Sequence, residues 1–290
     1  MNQALVWCFL LKGDKCSNIK YVAYLEVDEE GELHCEPLLD HLVVTGDTMV
    51  KLFEDRLRVL EERTRSSFKW EKDELLDIAW IIGLAHDLAK SSTRYTGGVD
   101  VSKVKPGFKV SFSHHEVVSG ILVFLNTREE NPGIRRIGRL VARVISRHHA
   151  AMKNRHPASL SSTSCNNKFY KEVLAEIKEE FLGEVRGSCS NNELCEIIFR
   201  RPGILDHIEY SKLDLCRDVV RDLAKPTDSP SKQDRVAEFT LLNALTGILI
   251  VSDNIVAYKN RRSKSSTDYS TPLYIKHWLC ELLEDCMENM

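Results

Sequence analysis

The amino-acid sequence predicts an all-α fold with a small β-hairpin at its N-terminal end. From Pro37 onward, apolar residues such as Ile78 and Ile82 recur at spacings of three and four, the pattern of a helix packed against a core. Before Pro37, the segments Ala4–Leu11 and Tyr21–Val27 are rich in aromatic and β-branched residues and are separated by a polar stretch. That arrangement is typical of two strands joined by a turn.

The helical pattern continues to the C-terminal end, interrupted by polar segments at residues 91–111, 158–167 and 262–270. The candidate functional residues described below lie on both sides of the first two segments. We therefore interpret these segments as loops and residues 1–290 as a single domain, with a motif-bearing core at about residues 37–261. The helices predicted beyond the first loop are His115–Leu125, Ile134–His149, Phe169–Phe181, Glu193–Phe199, Ile208–Leu223, Gln233–Arg261 and Pro272–Met287.

Composition limits the classes of function. The formal net charge of −3 provides no overall positive field to attract nucleic acid, so a nucleic-acid groove would have to be a local basic patch. No apolar run approaches the roughly 20 residues that span a bilayer, and no signal peptide is evident, so we expect a cytoplasmic protein without a membrane partner. The nine cysteines include no CxxC pair and are expected to be mostly reduced, buried thiols, unless the source is a hyperthermophile.

The sharpest local signal is the adjacent pair His86 and Asp87 at the end of an apolar helix that begins near Asp73. Burying two ionisable groups without partners is costly, and a divalent cation satisfies an imidazole nitrogen and a carboxylate oxygen together. Taken alone, the pair is equally compatible with a solvated or capping helix end.

Further candidates share this setting. Two histidine doublets, at residues 114–115 and 148–149, each stand at one end of an apolar helix. Adjacent helical residues point about 100° apart, so a doublet reaches two sides of a metal lying beyond the helix end. Asp253 interrupts a run of Ile, Leu and Val, where a carboxylate must be paired, neutral or bound to metal. His41, in the apolar segment Leu38–Val44, is a further candidate ligand. The alternatives to metal binding are that His41 is an ordinary histidine at the edge of the core and that Asp253 pairs with a neighbouring arginine.

The order His41, His86-Asp87, His115, His148-His149 and Asp253, each on its own helix, resembles the HD superfamily of metal-dependent phosphohydrolases. Its details look most like the HD nuclease of type I CRISPR systems, in the stand-alone form without a helicase. The resemblance implies an HD-domain helical core with added C-terminal helices. It also implies one metal held by His41, His86, Asp87 and Asp253, with Asp87 bridging to a second held by His115, His148 and His149.

The same resemblance assigns roles near the predicted metals. His115 is preferred to His114 as a ligand because Ser119 follows it at the family spacing of four, which leaves His114 and Ser119 as substrate-side candidates. Lys90 stands where the family lysine meets a phosphate oxygen, although a cation near a helix C-terminus needs no such role. His86, Asp87 and Lys90 are thus the predicted catalytic residues.

The donor types restrict the metal. A site rich in imidazole favours transition metals, so we expect two divalent ions chosen from Mn²⁺, Fe²⁺, Co²⁺ and Ni²⁺, with Mg²⁺ less suited. Two such ions about 4 Å apart lower the pKa of a bridging water and clamp a phosphodiester.

The substrate is predicted to be single-stranded DNA. Arg136, Arg139, Arg143 and Arg147 recur at helical spacing before His148 and form either a phosphate-binding stripe or an ordinary solvated face. No Walker-type loop occurs, so the resemblance implies a separate CRISPR helicase subunit and interference complex as partners. The alternatives are a phosphohydrolase acting on nucleotides or cyclic dinucleotides, and an inert regulatory HD module.

Overall fold

A computed structural model describes residues 11–12, 16, 19–96, 105–149, 165–189, 192–206, 210, 212–225, 227 and 231–261. Helices predominate in this part of the chain, which confirms the predicted all-α class. The predicted C-terminal helix Pro272–Met287 and nearly all of the predicted strand Ala4–Leu11 lie outside the described residues.

The N-terminal sheet has three antiparallel strands in the order β1 (Leu11–Lys12), β3 (Leu33–Pro37), β2 (Val22–Val27). The hairpin joins β2 to β3 through a turn in which Gly31 adopts a positive φ of 83°, a conformation that glycine tolerates. A small N-terminal hairpin is thus present as predicted, but in the described residues β2 pairs with β3, and Leu11 of the predicted first strand also pairs with β3. The sequence did not indicate strand β3 because its five residues include none of the β-branched and aromatic types that mark a strand.

Helices follow the sheet directly. The two longest helices span Leu38–Phe68 and Lys232–Arg261. The second packs against the first and against the helix Pro132–Ile145. Short 3₁₀ turns occupy Leu88–Ser91 and Gly203–Asp206, and a π-turn at Cys216–Val220 continues into the helical turn Arg221–Leu223. The helices are α1 (Leu38–Phe68), α2 (Glu74–Ala85), α3 (Thr93–Thr96), α4 (His115–Thr127), α5 (Pro132–Ile145), α6 (Asn167–Ala175), α7 (Glu179–Gly187), α8 (Glu193–Ile198) and α9 (Lys232–Arg261).

Two predicted helices differ from the structure. The predicted helix Phe169–Phe181 is split into α6 and α7, because Lys178 has an extended backbone conformation and the chain turns there. In the predicted helix Ile208–Leu223, the described residues become regularly helical from Cys216 onward. Apolar spacing alone does not reveal such breaks, because the apolar residues on both sides still face the same core.

A close crossing of α1 and α2 positions the residues that matter below. A Cβ atom added to Gly83 of α2 would lie 2.4 Å from the Cα atom of Gly46 in α1, so only glycine permits this approach. The crossing lies three residues before His86 and five after His41. It therefore brings the two histidine-bearing segments together.

Helix α9 is the one helix in the described part of the chain that is long and apolar enough, by length and composition, to cross a membrane. Its residues Leu241, Leu245 and Leu249 are buried, and the helix packs against α1 and α5. This packing accounts for its apolar composition.

Six of the nine cysteines form disulfides, which corrects the expectation of reduced thiols. The Cα atoms of the pairs lie 5.8, 5.9 and 6.4 Å apart, within the range that a disulfide spans. The sequence separations of 19, 51 and 6 residues follow no recognisable spacing motif, so the pairing becomes visible only in the folded chain. The pairs are Cys16–Cys35, Cys165–Cys216 and Cys189–Cys195.

Candidate metal centre

The seven residues that the sequence singled out as metal ligands converge on one place. They come from α1, from the end of α2, from the start of α4, from the turn after α5 and from α9. Three groups of donors result, each with its ligand atoms within 4.8 Å of one another; one of them, His86, Asp87 and His148, shares a residue with each of the other two. We call the other two the Asp253 group (His41, His86 and Asp253) and the His149 group (His115, His148 and His149).

Asp87 lies between the two groups and is almost fully buried. Its Oδ1 atom is 2.8 Å from Nε2 of His115 and 3.6 Å from Nε2 of His148. Its Oδ2 atom is 3.5 Å from Nε2 of His41 and 3.4 Å from Nε2 of His86. Each carboxylate oxygen therefore faces a different group, which is the arrangement of a bridging ligand.

Asp253 and His149 complete the two groups on their more exposed side. The Oδ1 atom of Asp253 is 3.3 Å from Nε2 of His41 and 3.7 Å from Nε2 of His86. The Nε2 atom of His149 is 3.2 Å from Nε2 of His115. Because both residues are partly exposed while the other ligands are buried, solvent reaches the cluster past these two side chains.

Hydrogen bonds orient four of the histidine rings. In three of them, Nδ1 lies close to the backbone carbonyl oxygen of the residue three positions earlier. The distances are 2.7 Å for His86, 2.5 Å for His115 and 2.7 Å for His148. A carbonyl only accepts, so each Nδ1 atom carries a proton and each Nε2 atom is the nitrogen that faces the cluster and can bind a metal once it is deprotonated. This is the tautomer that a metal-binding histidine needs.

The fourth oriented ring, that of His41, uses a side chain that sequence reasoning missed. Its Nδ1 atom lies 2.8 Å from Oε1 of Glu36, a fully buried carboxylate in β3. A carboxylate behind a metal-binding histidine fixes the ring and increases its basicity. The one available signal was that a glutamate precedes His41 by five residues, which becomes meaningful only once β3 and its junction with α1 are known.

The electrostatics of the cluster favour bound positive charge. Burial lowers the pKa of His86, but the combined attraction of the carboxylates of Asp87 and Asp253 outweighs burial and raises that pKa to about 9. Burial would raise the pKa of Asp87, yet the positive charges of His86 and Lys90 hold it well below its usual range. Burial would likewise raise the pKa of Asp253, but its interactions with the neighbouring imidazoles of His41 and His86 hold that pKa well below its usual range. The buried carboxylates thus remain ionised and need cations beside them.

The donor atoms fit a divalent transition metal. In the described part of the chain, Nε2 of His41, His86 and His148 and Oδ1 of Asp87 are buried and form no hydrogen bond of acceptable geometry. Buried polar atoms in proteins are nearly always partnered, so four such atoms at one place indicate a ligand. Imidazole nitrogens with a few carboxylates suit Mn²⁺, Fe²⁺, Co²⁺ or Ni²⁺ better than the oxygen-seeking Mg²⁺ or Ca²⁺.

Lys90 lies at the edge of the cluster and is largely buried. Its Nζ atom is 2.5 Å from Oδ2 of Asp87 and donates to the backbone carbonyl of Ala23 at 3.3 Å. In this arrangement Lys90 neutralises Asp87. The predicted contact with a phosphate oxygen stays a prediction.

Ser119 and His114 lie away from the donor atoms of the cluster. The Oγ atom of Ser119 is buried and accepts a hydrogen bond from the backbone N–H of Ala89 at 3.0 Å, which holds the turn after Asp87 in place. His114 precedes α4 with a positive φ of 59°, and its ring packs edge-on against Tyr170. Of the histidine doublet, His115 rather than His114 faces Asp87.

The arginine stripe of α5 contacts protein rather than forming an open basic face. Arg136 donates to Glu238 at 3.1 Å and stacks on Phe68. Arg143 and Arg147 are buried and donate to backbone carbonyls of the segment that follows the π-turn. The expectation of exposure is therefore wrong for these two residues, and burial lowers the pKa of Arg147 to about 10. Arg139 is the most exposed of the four.

A separate group of possible ligands lies at the turn between β2 and β3. It consists of Asp28, Glu32 and His34. The Nε2 atom of His34 is 2.6 Å from Oδ2 of Asp28, so that nitrogen is already engaged. This group lacks the bridging carboxylate of the main cluster.

Comparisons with known proteins agree with the geometry. A sequence model of a protein family, described as "Cas3, HD domain", matches residues 26–257. The matched region contains all seven residues of the cluster and Glu36. Neither the curated proteins nor the solved structures gave a significant match.

Proposed function

Because the chain belongs to the Cas3 HD-domain family, whose members are metal-dependent nucleases and phosphohydrolases of CRISPR systems, we propose that it cleaves single-stranded DNA at a two-metal centre. The observation that carries the proposal is the position of Asp87. Its two carboxylate oxygens face the Asp253 group and the His149 group separately, and the donors of both groups point inward.

The ligands divide into two unequal sets. The Asp253 group offers two imidazoles and a carboxylate, and Glu36 adds negative charge behind His41. The His149 group offers three imidazoles, and Asp87 contributes to both sets. Mn²⁺, Fe²⁺, Co²⁺ or Ni²⁺ suits these donors. When bound, such ions lower the pKa of a water molecule and neutralise charge on a phosphodiester.

The chain's own residues prepare the site for a phosphodiester. The backbone acceptors and Glu36 hold the histidine rings before substrate arrives, so no reorganisation is needed at that stage. Buried helices on the inner side of the cluster exclude water, and the partly exposed Asp253 and His149 mark the side from which a DNA strand approaches. Lys90 is the nearest cation to Asp87 and is proposed to contact a phosphate oxygen.

The substrate and partners follow from the family and from what this sequence contains. In keeping with the family, a separate helicase subunit of a CRISPR interference complex is proposed to supply the single strand in the cytoplasm. Among the helix α5 arginines, Arg139 is the best candidate for a contact with backbone phosphate, because it is the most exposed.

The test uses metal-stripped protein, a panel of divalent ions and four substrates: circular and linear single-stranded DNA, duplex DNA and mononucleotides. We expect cleavage of both single-stranded substrates with Mn²⁺, Co²⁺, Ni²⁺ or Fe²⁺, since an internal phosphodiester needs no free end. The variant Asp87→Asn should lose this activity while keeping its helical circular dichroism spectrum. The matched control Asp55→Asn replaces an exposed carboxylate of α1 and should cleave like the wild type.

Each alternative predicts a different outcome. Hydrolysis confined to mononucleotides would replace the proposal with a nucleotide phosphohydrolase. Equal activity of the Asp87→Asn variant would exclude this cluster as the reactive centre.

A further inference from the structure

An apolar groove runs between α1 and α9 on a side of these helices that the metal centre does not use. It has a volume of about 590 Å³. Phe53, Val59 and Leu60 of α1 line one side, and Ala244, Gly247 and Ile248 of α9 line the other. A Cβ atom added to Gly247 would meet nothing within 4 Å, so the groove is open above this position as far as the structure describes the chain.

The exposed apolar side chains concentrate on the same two helices. Among the described residues, the large hydrophobic side chains that stand out as exposed are Val59, at 51%, on α1 and Val236 and Phe239, at 59% and 51%, on α9. Val236, Phe239 and Gly247 recur at helical spacing along one side of α9. Exposed Thr240 and Asn243 interrupt this apolar strip. An exposed apolar patch of this kind is typical of a surface that another helix covers.

For the residues beyond α9, which the structure does not describe, the sequence predicts a helix of matching character. Apolar residues between Pro272 and Met287 recur at spacings of three and four, whereas Glu281 and Glu284 fall on the opposite side of a helix and Asp285 falls at the edge of the apolar side. The predicted helix is therefore amphipathic, and its acidic side suits solvent. Its apolar positions are Ile275, Trp278, Leu279, Leu282, Leu283 and Cys286.

The length of the chain allows this helix to return to the groove. Gly247 lies about 21 Å from Arg261 along α9, at 1.5 Å per residue. The ten residues between Arg261 and Pro272 span up to about 33 Å, enough to reverse direction. A helix over residues 272–287 is about 24 Å long, and the strip from Val236 to Val251 is about 22 Å long.

We propose that the segment Pro272–Met287 docks as an amphipathic helix, antiparallel to α9, in the groove between α1 and α9. The small residues Ala244 and Gly247 leave space for a large side chain, and Trp278 or Leu279 fills it. The docked segment covers the exposed apolar strip and extends the core beyond α9. The proposal is independent of the metal centre.

The experiment measures thermal unfolding of the full chain carrying Val59→Asp, Trp278→Asp or both. Valine and aspartate have similar helix propensities, so Val59→Asp on a solvent-facing helix changes the Tm by about 1 °C or less. In the docked arrangement it buries a charge, and we expect the Tm to fall by about 4 °C or more. Trp278→Asp should lower it comparably, and the double variant should fall no further than the lower single variant, because both changes break one contact.

Two further results would overturn the proposal. If Val59→Asp leaves the Tm unchanged, the groove is open to solvent or is reserved for another protein. If the wild type is a dimer by light scattering and Val59→Asp makes it monomeric, a second copy occupies the groove. Metal content should equal that of the wild type in all three variants, which separates this test from the test of the proposed function.

Discussion

Glu36 gives the most specific prediction about the metal centre, because nothing in the chain's pattern marks it and only the folded structure assigns it a place. Its carboxylate accepts the Nδ1 proton of His41 at 2.8 Å, and Nε2 of His41 points at Asp87 and Asp253. The variant Glu36→Gln keeps the size and a carbonyl acceptor but removes the charge. Glu36→Ala removes both and leaves a buried Nδ1–H without its acceptor.

The expected magnitude follows from the position of Glu36 behind a ligand. Losing such a partner weakens metal affinity by about 10- to 100-fold, or about 1.4 to 2.7 kcal/mol. Glu36→Gln should fall near the lower value and Glu36→Ala near the upper one, because only the alanine also frees the ring of His41.

Isothermal titration of metal-stripped protein with Mn²⁺ measures this directly. The matched control Glu62→Gln alters an exposed glutamate of α1 and should bind as the wild type does. Affinity of Glu36→Gln within about twofold of the control would refute the reasoning, since the carboxylate would then neither fix His41 nor increase its basicity.

Four further predictions follow from the structure. The pKa of His86 is raised to about 9, so below that pH a metal must displace a proton from the ring. Mn²⁺ affinity should therefore rise from pH 6 to pH 9, with measurable proton release on binding. An affinity independent of pH would contradict this. Arg143 is buried and donates to a backbone carbonyl, so Arg143→Ala should lower the Tm by several degrees without changing DNA affinity. Arg139→Ala should instead leave the Tm unchanged and reduce, by about 0.7, the slope of log DNA affinity against log salt concentration. The reverse pattern for these two variants would mean that the arginines form the open phosphate-binding stripe that the sequence suggested. Reduction of the Cys165–Cys216 disulfide, which closes a 51-residue loop, should lower the free energy of unfolding by up to about 4 kcal/mol in denaturant titrations, and an unchanged midpoint would mean that the bridge constrains little.

The candidate site was more predictable than its surroundings for a physical reason. An ionisable residue in an apolar helix, such as Asp253, needs a partner, and that need can be recognised from the sequence alone. The same holds for His86 and Asp87 at the end of α2. Once several such residues occur in one chain, a shared cation is the simplest way to satisfy them, and the structure brings them together.

The residues that sequence reasoning misjudged depend on tertiary contacts. Glu36 lies in a short strand whose pairing partner is fixed only by the turn at Gly31. Arg143 and Arg147 have the spacing of a solvated stripe, and the same spacing serves a helix face that binds another part of the chain. Periodicity identifies a face but not what covers it.

Anomalous X-ray diffraction from crystals soaked in Mn²⁺ tests the central claim most directly. The proposal predicts two strong peaks, one on each side of Asp87, with the first beside the Asp253 group and the second beside the His149 group. Absence of density at Asp87, or binding confined to the turn at Asp28 and His34, would contradict a two-metal centre.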